Sequence, residues 1–164
     1  MLLVTSLFFV SCGYQNPYVY SGPSKRIYVK TWKNRTNVLQ LDSKIYQSLI
    51  KWYQKSGSLQ ITKTKEGADF ILAGEIISYD IPSLTFAANN NTSEVNLRLK
   101  VRYVFKDLKT GKILIEKPKE TWVEEYQVTP NASQTRDNAD EALAIIIDEL
   151  SQKIYQNSLL EISK

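Results

Sequence analysis

Glu94-Val-Asn-Leu-Arg-Leu-Lys-Val-Arg-Tyr-Val-Phe-Lys106 sets Val95, Leu97, Leu99, Val101, Tyr103 and Phe105 in alternation with Glu94, Asn96, Arg98, Lys100, Arg102 and Lys106. Successive side chains of a β-strand point to opposite sides, so one face of this strand is apolar and the other is charged. A strand of this kind belongs to a sheet with one packed face and one wet face, which is a property of antiparallel sheets rather than of buried parallel ones.

The flanking segments supply its neighbours. Ahead of it, Ala68-Asp-Phe-Ile-Leu-Ala-Gly-Glu-Ile-Ile-Ser-Tyr79 predicts another long strand, in which Gly74 marks a bulge or a close backbone approach. Behind it, Asp107-Leu-Lys-Thr-Gly-Lys112 predicts a tight turn with Gly111 at positive φ. Ile113–Ile115 and Thr121–Val128 then return as hairpin strands, divided by Pro118. Further out, Arg26–Trp32 predicts a first strand with Ile27, Val29 and Thr31 on one side and Tyr28, Lys30 and Trp32 on the other, and Leu59–Thr62 a short one.

Two helices complete the chain. Leu41, Ile45, Leu49 and Trp52 share one face of a helix over about 39–56, which Gly57 stops. Leu143, Ile146 or Ile147, Leu150 and Ile154 keep the same period in a C-terminal helix, where Asn138 and Glu141 form a capping box. Two amphipathic helices cover one face of a sheet, so the fold class is α+β: a two-layer sandwich of a mainly antiparallel or mixed sheet with both helices on one face.

Composition narrows the chemistry. The 164 residues carry 21 Lys+Arg against 17 Asp+Glu, no His and one Cys. The commonest general base, the commonest metal ligand and an internal disulfide are therefore missing, and a net charge of +4 is too small for a nucleic-acid signature. Adjacent Glu124 and Glu125 fall on opposite faces of a strand and cannot work as a paired acid and base. The sequence predicts a chain that is not an enzyme and takes no cofactor and no metal. Asn-x-Thr/Ser triplets at Asn34, Asn90, Asn91 and Asn131 matter only in a eukaryotic secretory pathway, and the ten Tyr residues fall mostly where packing is their ordinary use.

The N-terminus points to export. Met1–Ser11 is an apolar run ending in a small residue, too short to span a bilayer. Phe9-Val10-Ser11-Cys12 resembles a lipobox, in which the Cys thiol receives diacylglycerol before cleavage. The domain plan is a signal peptide at 1–11, a lipidated flexible tether at 12–24 carrying Pro17, Gly22 and Pro23, and a single α+β domain at 25–164. Acyl chains on Cys12, each methylene contributing about 0.8 kcal/mol, anchor such a domain to a membrane. Similarity to other lipoproteins implies that Gly13 after Cys12 directs the protein to the outer membrane.

Ile27-x-Val29-x-x-Trp32-x-Asn34-x-Thr36, then a helix, then Ala68-Asp-Phe-Ile-Leu72-x-Gly74-x-Ile76 and the alternating strand closing in Asp107-x-x-Thr110-Gly-Lys112, resembles the LptE family of lipopolysaccharide-assembly lipoproteins. Cys12-Gly13-Tyr14 is similar to the start of that family's mature chains. The resemblance implies a lipid-anchored protein on the periplasmic side of the outer membrane, which plugs and helps assemble the LptD barrel and assists lipopolysaccharide delivery. The alternative is a pilotin-like or transporter-accessory lipoprotein escorting another envelope complex. Arg98, Lys100 and Arg102, at intervals of roughly 7 Å along one strand face, are the candidate contacts for phosphate or lumen carboxylates. Leu84 and Phe86, in the long loop 81–93, are candidate partner contacts. For the basic residues the plainer account is a solvated sheet face.

Overall fold

A computed structural model describes residues 20, 22–57, 59–81 and 93–164. The elements are β1 (Lys25–Val29), β2 (Lys33–Asn34), α1 (Leu41–Gln54), β3 (Leu59–Thr62), β4 (Phe70–Asp80), β5 (Ser93–Asp107), β6 (Ile113–Val128) and α2 (Ala132–Ile162). They form a six-stranded open sheet of order β3-β1-β4-β5-β6, with β2 beside β4, and the class is α+β as the alternation implies. β1 runs parallel to β3 and β4, and β4, β5 and β6 form an antiparallel meander.

The parallel pair β1/β3 needs a crossover, and α1 supplies it. α1 buries Leu41, Ile45, Leu49, Trp52 and Tyr53. α2 descends along β6 and beside α1, burying Leu143, Ile146, Ile147, Leu150 and Ile154. Between helices and sheet lie Leu97, Leu99, Val101 and Phe105, all inaccessible to solvent, with Tyr103 at 2% exposure. Each such side chain contributes roughly 1.5–3 kcal/mol by leaving water. Phe70 and Phe105 stack at 5.3 Å, while Tyr53 meets Tyr155 edge to face at 5.5 Å and shares a 2.7 Å hydrogen bond with Ser158.

Four local expectations are corrected. The first strand ends at Val29 and its alternation fails there: Trp32 is buried and Thr31 exposed, because the chain steps out of the ladder at Lys30–Trp32 and re-enters as β2. The hairpin strands on either side of Pro118 are one strand, β6. A register shift between the pairs Val101/Glu120 and Tyr103/Lys117 puts Pro118 at a β-bulge, where no ladder N–H is required of it. α2 starts at Ala132 rather than near Asn138, since Asn131 is the cap and its Oδ1 accepts the N–H of Ser133 (2.9 Å) and Gln134 (3.3 Å). Asn138 instead donates to the Gln127 carbonyl at 2.8 Å, tying the helix to β6. Gly57 does not provide a left-handed stop: α1 closes on Lys55, and the left-handed residue lies at its other end, Gln40 at φ 61°.

Gly111 has φ 75°, as its turn demands. Gly74 is a close approach, because a Cβ there would lie inside the Trp32 indole. Trp32 in turn stacks on Tyr103 at 6.1 Å, so the absent side chain makes room for an aromatic pair that joins the β1–β2 break to β5. Gly74→Ala is therefore expected to lose about 1–3 kcal/mol of unfolding free energy through overpacking. Urea denaturation measures it, and an unchanged midpoint would show that the indole has free room to move.

Candidate functional site

The face of the sheet turned away from the helices is where Arg98, Lys100 and Arg102 stand together, as the period of two requires. The register gives each its neighbours: Arg98 lies between Asp80 and Val123, Lys100 between Ser78 and Thr121, and Arg102 beside Glu75. Lys100 Nζ is 3.7 Å from Asp80 Oδ2, which also accepts a 2.9 Å hydrogen bond from Ser78. Arg98 forms no ion pair among the described residues and faces solvent. The basic stripe is thus interleaved with acids contributed by β4.

Glu75 is the centre of this arrangement. It is 6% exposed although neither described helix covers its strand face. Its Oε1 accepts from Arg35 Nε and its Oε2 pairs with Arg102 Nη2, both guanidinium groups being half exposed. The hydrogen bond from Arg35, followed by that from Arg102 and by both cationic charges, outweighs the cost of burial and holds the Glu75 carboxyl below its ordinary range.

Arg35 is aimed by the residues around it. Asn34 Oδ1 accepts from the Thr36 N–H (2.9 Å) and hydroxyl (2.8 Å), and Asn34 Nδ2 donates to the Val38 carbonyl at 2.8 Å. The Arg35 N–H reaches the Ile76 carbonyl at 3.1 Å. The Asn-x-Thr pattern is therefore a turn that fixes a guanidinium over the sheet. A depression of about 530 Å³ lies against this cluster, lined in part by Lys33, Arg35, Arg102 and Lys117 with Glu75 and Glu116. Four cations against two carboxylates suit it to an anionic group such as phosphate or carboxylate.

Reasoning from sequence found the β5 stripe and missed Arg35 and Glu75. The available signal was a charged residue, Glu75, at an interior position of an otherwise apolar strand. Glu124 and Glu125 do diverge, Glu124 opposite Leu97 and Glu125 opposite Asn96. Glu120 also turns toward the helices, where Lys153 of α2 meets it at 3.0 Å. Cys12, Leu84 and Phe86 lie outside the described residues.

The sequence profile described as LptE, lipopolysaccharide-assembly, matches residues 24–158. No curated protein sequence matches the chain. Among solved structures, an uncharacterized lipoprotein B of Nitrosomonas europaea superposes with a TM-score of 0.58 at 13% identity, covering 92% of this chain and 93% of its own. A protein of Xanthomonas campestris gives 0.58 at 8% identity over 86% of this chain and 90% of its own. A putative lipoprotein of Caulobacter crescentus gives 0.52 at 13% identity over 82% and 93%. At such identities the likeness is one of fold.

The charge cluster has a pH signature. Because the folded-state pKa of Glu75 is depressed, its contribution to stability is complete above the value for glutamate in an unfolded chain, about 4.3, and is lost as pH falls through the folded value. Glu75→Gln should flatten the acid limb of a plot of melting temperature against pH below about pH 5. A variant whose limb matches the wild type would mean that the carboxylate is not held by Arg35 and Arg102.

Proposed function

The chain belongs to the LptE lipopolysaccharide-assembly family, and on that premise we propose that it is a non-enzymatic, lipid-anchored protein of the outer membrane that seats in an LptD-like barrel. In this reading Cys12 carries the acyl chains on the periplasmic side, the domain plugs and helps assemble the barrel, and lipopolysaccharide is assisted to the outer leaflet. The alternative escort roles, pilotin-like or transporter-accessory, have no observation that favours them.

The observation that carries the proposal is the uncovered sheet face. It is built from the longest strands, β5 of 15 residues and β6 of 16, or about 50 Å of mostly polar surface with neither described helix over it. Three of its cations are paired with carboxylates, Arg102 and Arg35 on Glu75 and Lys100 on Asp80. A large barrel has a polar interior, and a face with both signs held in place matches such a wall without presenting a bare run of one charge. Arg98, Lys100 and Arg102 are assigned to lumen carboxylates or lipid A phosphates, and Leu84 and Phe86 to apolar contacts with the barrel wall.

Arg98→Ser/Lys100→Ser/Arg102→Ser should lower both lipopolysaccharide binding and recovery of the barrel in co-purification from solubilised envelopes, while leaving the far-ultraviolet circular dichroism spectrum intact. Unchanged values in both assays would remove the stripe from the function, and recovery of a secretin or a phospholipid transporter in place of the barrel would move the protein to an escort role.

A further inference from the structure

The charges of the fold are sorted along the strand direction. β1, β3 and β4 begin, β5 ends and β6 begins at one end of the sheet. Tyr20, the first described residue, is held at that same end, its N–H donating to Ser56 Oγ at 3.2 Å. Lys25 and Arg26 open β1 there, Lys65 lies in the loop that returns from β3 to the start of β4, and Lys106, Lys109 and Lys112 close the β5–β6 hairpin. Against these six cations stand Glu66, Asp69 and Asp107, which leaves this group with an excess of positive charge.

Two of the three carboxylates are committed to building the platform. Asp69 takes the Arg26 N–H and the Lys109 ammonium, each at 2.7 Å, and Asp107 Oδ1 accepts the N–H groups of Lys109 (2.7 Å) and Thr110 (2.9 Å). Backbone bonds of 2.8 Å from Asp69 to Arg26 and from Leu108 to Asp69 tie loop, hairpin and β1 into one surface. Lys65 and Lys112 are exposed on it and form no ion pair among the described residues. The opposite end is richer in acids: Asp80, Glu94, Glu124 and Glu125 lie there with Asp137, Asp140 and Glu141 at the start of α2, among the cations Lys44, Arg98, Lys100 and Arg136.

We propose that this positive pole is a docking surface for an anionic phospholipid bilayer, on which the domain stands with its strands upright and its acidic end pointing away. The attraction of lysines to an anionic leaflet acts only within about a Debye length, roughly 8–10 Å in physiological salt, so the pole must lie at the headgroups. The chain enters the fold at that pole. With Cys12 acylated as proposed above, the eight residues on to Tyr20 span at most about 28 Å, which keeps the pole within reach of the lipid surface. One anchor and a basic patch are together the two signals that stable membrane attachment requires. The contact needs no barrel and stands apart from the assignment of the β5 stripe.

Flotation of the full chain with vesicles tests it. Phosphatidylcholine vesicles containing about a third phosphatidylglycerol should bind more protein than pure phosphatidylcholine vesicles, and high salt should erase the difference. Each lysine removed should cost roughly five-fold in that preference, so Lys65→Gln/Lys112→Gln should reduce it at least tenfold, while Arg98→Ser/Lys100→Ser/Arg102→Ser leaves it in place. The proposal is overturned if the lysine variant keeps the preference, if the β5 variant loses it, or if the wild type binds lipopolysaccharide micelles but shows no excess on anionic phospholipid.

Discussion

Five side chains of β5, from Leu97 to Phe105, have nowhere to go but between sheet and helices, and their alternation leaves the intervening residues in water. A slip of one residue would place Arg98, Lys100 and Arg102 in the core and expose the apolar row, at a cost no domain of this size can bear. The register of β4 and β6 on either side follows from that constraint. So does the site, because the same register that buries Val101 beside Ile76 sets Arg102 beside Glu75. Core and charged face are two consequences of one periodicity.

The pairing of charges on the open face says something about its use. Exposed ion pairs contribute about 0–1 kcal/mol each, so Lys100 with Asp80 adds little to stability. Glu75, nearly buried between two guanidinium groups, is different in kind: its neighbours define where Arg35 and Arg102 can point. The result is a rigid, patterned surface rather than a diffuse positive one. Membership of the LptE family gives that surface a context in lipopolysaccharide assembly, and preorganised cations lose less side-chain entropy on meeting an anion.

Much of this was legible in the residues. The β5 alternation, the Gly111 turn, the α1 face and the two-layer arrangement all follow from patterns short enough to be read locally. What was not legible depends on partners distant in sequence. Trp32 turns inward because Gly74, more than forty residues later, leaves it a place, and no local pattern at 26–32 reports that. Pro118 reads as a separator until β5 is present to show that a bulge accommodates it. Glu75 lies in β4 and Arg35 directly follows β2, and only the β2–β4 ladder brings them together. Asn138 reads as a cap in the sequence because a side chain that can bond its own helix can equally bond a neighbouring strand, and in the fold it donates to Gln127 instead.

The bulge at Pro118 bears on how the chain behaves alone. A sheet that ends in a 16-residue strand offers a long row of unpaired backbone groups to any second copy. Here the row is interrupted near its middle by a residue without an N–H, with Lys117 and Lys119 beside it, and the other border of the sheet, β3, is four residues long. Neither margin can zip into a neighbour over its full length. A domain with such borders avoids polymerising edge to edge with copies of itself.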